Sequence, residues 1–373
     1  MRRLPDQKIV VVGAGLVGSA LAWGLARNGL RPMVLDGEDL SLRASRANFA
    51  LIWVQGKGVG APHYAHWTIQ SARLWPAFAA ELRDVTGIDV GLKQKGAFTF
   101  CLNERELEVF TSDVVNVARD LKEDAPEHVV LDHRETAKMV PGIGKDVIGS
   151  IFSPMDGDVN SLRLLRALHW GMIKLGANYQ PHHEVTSIAP QALGFVLRGS
   201  WGEVFTERLI LSAGVGTPSL AAMVDIDAPT ARSKGQILVT EKCAPFFPYT
   251  SATLRQTDEG GIMIGDSQET NSDQISTNQD ISAVLADRAI RTFPCLTNVN
   301  VVRSWAGFRV KTPDGLPIYE ESRTYPGAYV TMCHSGVTLA ANHALIVAQE
   351  IAANAGLLAG DAFPGRRFHV SEN

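Results

Sequence analysis

Three glycines, Gly13, Gly15 and Gly18, and the acid Asp36 are the first residues of this chain whose types and spacing suggest chemistry. The apolar run Ile9 to Val12 enters the glycines, and the helical pattern Leu16, Ala20, Leu21, Leu25 leaves them. A second apolar run, Met33-Val-Leu, ends on Asp36. In that order of strand, turn, helix and strand, Gly13 permits a tight turn and Gly15 lets the backbone, with Ala14 and Val17, approach a pyrophosphate. Gly18 lets helix and strand pack closely. The phosphates would meet the positive end of the helix dipole, and Asp36 is placed to hydrogen-bond ribose hydroxyls. A nicotinamide or a flavin dinucleotide satisfies this pattern equally.

Further candidates lie along the chain. Ser45, Arg46 and Asn48 offer a hydroxyl, a guanidinium and an amide suited to phosphate and ribitol oxygens. The segment Leu51 to Gly60, with Gly56, Gly58 and Gly60 around Lys57, could lie against a flat ring. Leu209 to Gly216 carries an apolar strand into Ala213 and Gly214, where backbone can touch a cofactor. Ser335, Gly336, Val337 and Thr338 are expected in the first turn of a closing helix, presenting N–H groups to an anion. A reduced flavin develops such charge at N1 and O2, and a preorganised helix start would stabilise it.

The elements that must position these residues are legible at low resolution. Pro62 should start a long helix that Gly87 ends, with strands at Ile88-Val90 and Ala97-Cys101 and a helix from Asn103 to Lys122. Asn160 can cap a helix from Ser161 to Leu175, followed by strands at Glu184-Ile188, Phe195-Arg198 and Arg208-Ser212. Gln236-Thr240, Ala252-Arg255 and Ile262-Ile264 read as an antiparallel sheet beside a helix from Gln279 to Phe293. Val301-Val310 and Tyr329-Met332 read as strands, Ser335 to Ala352 as a helix, and the tail beyond Gly360 as a polar surface extension.

With 373 residues, 45% hydrophobic and 20% charged, the chain has material for two domains with sizeable cores. A net charge of −4 provides no basic field for nucleic acid. Asp6 and Lys8 interrupt the apolar start and argue against a secretion signal or membrane span, so a cytoplasmic protein is expected. The four cysteines, Cys101, Cys243, Cys295 and Cys333, stand singly, and His182-His183 lacks partners at ligand spacing, so no metal site is expected.

The glycine fingerprint with Asp36, the Asp156-to-Asn160 turn, Ala213-Gly214, the run Ala306-Gly-Phe-Arg-Val-Lys-Thr-Pro-Asp-Gly-Leu-Pro317 and His334-Ser-Gly-Val-Thr338 together resemble the FAD-dependent D-amino acid oxidase family. Lys234-Gly-Gln236 and Gly261-Ile-Met-Ile-Gly-Asp266 are most similar to the FAD-bearing B subunits of heteromeric dehydrogenases such as opine oxidase, D-hydroxyproline dehydrogenase and hydrogen cyanide synthase. The resemblance implies an α/β fold of the glutathione-reductase-like, D-amino acid oxidase type. Residues 1–87, 147–228 and 306–373 would form a Rossmann-type FAD-binding domain, and 88–146 and 229–305 an α+β substrate domain on an antiparallel sheet.

It further implies FAD contacts at Val185 and Gly307, substrate contacts at Arg309, Tyr249 and Arg255, and a catalytic role for Arg309 and His334. The implied chemistry oxidises the C–N bond of an opine, D-amino acid or imino acid. Hydride passes from Cα–H to flavin N5, and water hydrolyses the imine. Met263 stands where oxidase relatives have an oxygen-activating lysine. Electrons would therefore leave to partners: an A subunit, a small [2Fe-2S] subunit, and an interfacial FMN. The competing readings are a self-sufficient oxidase producing hydrogen peroxide and a flavin-holding structural subunit.

Overall fold

The computed structural model describes residues 2–38, 43–231, 233–270 and 274–369. The loop expected over 37–44 falls partly outside them. The strand Gln7–Val12 lies near the middle of the first sheet, whose order is Ile318–Glu321, Ala328–Met332, Gly202–Leu211, Gln7–Val12, Met33–Leu35, Asn178–Gln180. All of its pairings along this path are parallel except the first, and a hairpin of Ser187–Gln191 and Gly194–Gly199 extends Gly202–Leu211. Parallel strands are buried on both faces and so need continuous apolar runs. Ile9 and Val11 point into one core with Leu21, Trp23 and Leu25 of the helix Leu16–Arg27. Val10 and Val12 point into the other, with Leu209, Leu211 and Val330.

The second sheet runs in the order Val301–Phe308, Lys234–Lys242, Gly261–Ile264, Leu254–Gln256, Thr250–Ser251, Ala97–Cys101, Gly149–Ser153, Val129–Asp132. It is antiparallel but for one parallel pairing, Thr250–Ser251 with Ala97–Cys101, a departure from the purely antiparallel expectation. The sheet includes Gly149–Ser153, beyond the expected return at residue 147, and holds Val301–Phe308 to its end. Phe98, Phe100, Phe247 and Phe293 fill its core.

Local signals set most boundaries. The long helix runs Pro62–Thr86 and ends where Gly87 turns left-handed at φ 74°. Asn160 caps Ser161–Lys174 by accepting from the Leu162 and Arg163 amides. Ile88-Val90 forms no strand: it is an irregular segment between Gly87 and Gly91, both at positive φ. The closing helix begins later than expected: a turn precedes Ala340–Asn342, and the helix continues through a π-type turn, His343–Val347, into Ala348–Ala353. The tail is also more than a surface extension. Phe363 is 1% exposed and packs against Tyr319, Tyr64 and His63, and Arg366 pairs with Glu320.

Helix Leu16–Arg27 approaches the first turn so closely that a Cβ on Gly18 would stand 1.9 Å from the Gly13 carbonyl oxygen. Gly18→Ala is expected to lower the unfolding free energy by about 1–3 kcal/mol in urea titration. Gly216→Ala, whose methyl would meet only Ala213 at 3.9 Å, should leave it unchanged.

Candidate functional site

A cavity of about 660 Å³ runs from the first glycine turn to the second sheet. At one end Gly13, at φ 102°, turns the chain out of its strand, and Gly13, Ala14, Gly15 and Val17 line the wall. The Ala14 amide donates to Asp36 Oδ2 at 2.7 Å, the Leu16 amide to Ser45 Oγ at 2.8 Å, and His169 Nε2 to the Ala14 carbonyl at 2.8 Å. Ser45, Arg46 and Asn48 line the same stretch, and Ala213, Gly214 and Gly307 face it from the ends of two other strands.

Ser335, Gly336, Val337 and Thr338 line a second stretch, and a Cβ on Gly336 would stand 3.5 Å from Val17. This segment is clamped. Ser335 Oγ receives Lys57 Nζ at 2.9 Å and lies 2.9 Å from the Tyr64 hydroxyl; the Thr338 carbonyl accepts from Ser71 Oγ at 2.7 Å and Trp75 Nε1 at 3.0 Å. The helix Pro62–Thr86 thus holds the segment through three side chains. Gly56, Gly58 and Gly60, all at positive φ, form the turn that carries Lys57 to the cavity. Beneath that turn, buried Asp156 accepts from the Val54 amide at 2.6 Å and from Gln55 Nε2 at 2.8 Å.

Arg309 enters the cavity immediately after Val301–Phe308. Its Nη1 donates to the Lys234 carbonyl at 3.1 Å, and its guanidinium lies on Gly235, where a Cβ would stand 2.6 to 2.7 Å from three of its atoms. Burial lowers its pKa from the ordinary value, while Asp266 and Glu269 oppose that shift. Glu269 also pairs with buried Lys234 at 3.0 Å, which anchors the strand beneath. Asp266, at φ 77°, lines the cavity; burial raises its pKa, countered by Arg309, Arg288 and Lys57. His334 opens onto the cavity, and enclosure, followed by the charges of Lys57, Arg309 and Lys311, lowers its pKa and keeps it neutral at pH 7.

Several expected contacts fall elsewhere. Gly18 packs on Gly13 behind the wall. Asp36 is 2% exposed and engaged by the Ala14 amide, the Glu38 amide and Arg43, so it shapes the turn and meets the cavity through its partners Ala14 and Arg43. Val185 is buried in the core on the far face of the first sheet. Tyr249 packs its ring against Phe98, Phe152 and Phe247. Arg255, 5% exposed, bonds Asp158 at 2.9 Å and the Phe49 carbonyl at 2.8 Å, so its charge is spent inside the fold. Conversely, sequence reasoning missed Asp266 and Gly235 as site residues and gave Lys57 no charge role. The Gly265-Asp266 pair at a strand end was the one local sign of the first.

An FAD dependent oxidoreductase family model matches residues 8–350. The chain belongs to this family. It is 56% identical to the B subunit of opine oxidase from Agrobacterium tumefaciens (strain Ach5) and 54% identical to that of Rhizobium meliloti, over 98% of each chain. Glycine oxidase from Geobacillus kaustophilus shares the fold, with a TM-score of 0.88 and 23% identity over 100% of both chains.

The residues present in this oxidoreductase fit FAD. The helix Leu16–Arg27 starts on the cavity wall at Gly15, which has no side chain to cap its first amides, so its N-terminus is left open to a phosphate. The glycine turn and Ser45 to Asn48 would hold its phosphate end, and Ser335 to Thr338 its ring end. No helix among the described residues is long and apolar enough to cross a membrane.

The Gly235 seat predicts a selective defect. Gly235→Ala should lift the Arg309 guanidinium and weaken binding of a small carboxylate about tenfold, roughly the worth of one charge-assisted hydrogen bond. Titration followed by the visible absorption of bound flavin measures it, with the melting temperature expected near wild type.

Proposed function

We propose that this chain oxidises the C–N bond of an opine-type secondary amine in the cytoplasm and passes the electrons to a partner protein. Arg309 carries the reading. A guanidinium seated on Gly235 and open to the cavity is a bidentate carboxylate binder, and its planar fork fixes the direction of the adjoining C–N bond. The high identity to the B subunit of opine oxidase supports the substrate class and the hetero-oligomer. An A subunit and a small [2Fe-2S] subunit, with FMN at an interface, are the partners this reading expects.

Bound FAD supplies the two-electron acceptor. The protein's share is binding and orientation. Arg309 holds the substrate carboxylate, and neutral His334 can accept a hydrogen bond without adding charge. The clamped Ser335 to Thr338 segment presents a fixed wall. A self-sufficient oxidase is the second reading. Met263 lies outside the cavity lining, but Lys57 places a cation in that lining from another segment, so a positive charge for oxygen chemistry is present.

Anaerobic mixing with opines, sarcosine, D-amino acids and hydroxyproline should bleach the flavin fastest with an opine. Arg309→Ala should raise the half-saturating concentration about 10- to 150-fold, the equivalent of losing a charged hydrogen-bond pair, with flavin content retained. Unchanged bleaching would transfer the substrate role to another chain. Oxygen uptake by the isolated flavoprotein separates the two readings, and rapid turnover without partner or dye would favour the oxidase.

A further inference from the structure

Among the described residues a single carboxylate lines the cavity, that of Asp266. Its segment follows the strand Gly261–Ile264 and is tied down on both sides. The Gly265 amide donates to the Thr253 carbonyl at 2.9 Å, the Gln236 amide donates to Ser267 Oγ at 2.7 Å, and Lys234 and Glu269 exchange backbone hydrogen bonds at 2.8 and 2.9 Å. These contacts lay the segment along Lys234 to Gln236, the stretch on which Arg309 rests at Gly235. Between its fixed neighbours Asp266 stands at φ 77°, a conformation in which a glycine would be unstrained. A glycine there would lack the carboxylate.

Asp266 and Arg309 feel each other's charge without closing into a pair. Arg309 gives Nη1 to the Lys234 carbonyl, and Asp266 makes no hydrogen bond or ion pair among the described residues. A guanidinium and a carboxylate that flank one space in this way match a zwitterion, its carboxylate meeting the first and its ammonium the second. The remaining charges around them are Arg288 of the helix Gln279–Thr292 and Lys57, which act on Asp266, Glu269, which acts on Arg309, and Lys311, which acts on His334. The surrounding protein and the charges of Lys57, Arg309 and Lys311 oppose protonation of His334. Asp266 is open to the cavity space, and the protein packed around that space raises its pKa against the pull of Arg309, Arg288 and Lys57. It is thus a better proton acceptor than a free carboxylate, and its exposure gives the proton a way out to water.

We propose that Asp266 is a catalytic base, which receives the ammonium of a substrate whose carboxylate Arg309 holds and removes its proton. The N–H bond breaks, an O–H bond forms on Asp266, and the nitrogen keeps the electron pair. That pair assists departure of the Cα hydrogen as hydride to the two-electron acceptor and leaves an iminium that water hydrolyses. Asp266 then returns its proton to solvent. The proposal rests on the amine-oxidation reading above and adds the residue that prepares the amine.

The test follows anaerobic flavin bleaching by an N-(1-carboxyethyl) amino acid across pH in the FAD-loaded wild type, Asp266→Asn and Asp266→Gly. Asn tolerates the left-handed region and Gly prefers it, so both variants keep the backbone. At about pH 7 both should bleach about 100-fold more slowly than wild type, as for a lost general base. The deficit should shrink as pH rises and the amine loses its proton to water instead. Titration of the flavin spectrum adds a readout without turnover. α-Methylalanine, which has no Cα–H, should bind Asp266→Asn about tenfold more weakly than wild type, whereas isobutyrate, which has no ammonium, should bind at least as well. Flavin content and melting temperature report folding of both variants. A deficit of one size at every pH, no deficit, equal binding of α-methylalanine, or Asp266→Gly bleaching like wild type overturns the proposal while amine oxidation stands. Wild type left unbleached by any amine at any pH would instead sink the amine-oxidation reading, and this proposal with it.

Discussion

The two-sided burial of the strand Gln7–Val12 is the constraint on which the cavity depends. Its alternate residues feed two separate cores, so the strand can neither slide nor rotate without exposing one set. Gly13 leaves this fixed point at a positive φ, and Gly18 brings the helix Leu16–Arg27 down onto the Gly13 carbonyl. The first wall of the cavity inherits its rigidity from that contact. A larger residue at either glycine would have to move backbone rather than a flexible side chain.

The second wall is held from farther away. Ser335 and Thr338 are gripped by Lys57, Tyr64, Ser71 and Trp75, so a helix that precedes them by more than 250 residues fixes where the closing segment stands. Buried ions join the two halves. Arg255 ties the second sheet to Asp158 and to the Phe49 carbonyl, and Phe49 itself lines the cavity. A pair this buried contributes little net stability against an apolar alternative, but it admits one arrangement of its partners. Its use here is positional, and it leaves Arg309 as the arginine that faces the cavity from that sheet.

The oxidoreductase site accordingly divides its work. Backbone and small residues line much of the cavity beside the glycine turn, where close approach matters more than charge. Charged side chains concentrate where the two sheets meet, and there the fold keeps His334 neutral between cations.

By itself the sequence determined the features that act over a few residues. The glycine turn, the Asn160 cap, the left-handed stop at Gly87 and the apolar strands of the first sheet follow from backbone sterics and local hydrogen bonding, which need no distant partner. These were enough to reveal the fold class and the cofactor-binding character. Tertiary structure alone decided which charges are free for chemistry. Arg255 and Arg309 both occupy strands or strand ends, yet Arg255 meets Asp158 from 97 positions away while Arg309 rests on Gly235 and faces the cavity. Asp36, read as a ribose ligand, turns to the Ala14 amide, and Lys57 and Asp266 reach one cavity from separate segments. A charge carries no local mark of its partner, because Coulombic and hydrogen-bonded pairing depends on distance in space, and only the packed chain sets that distance.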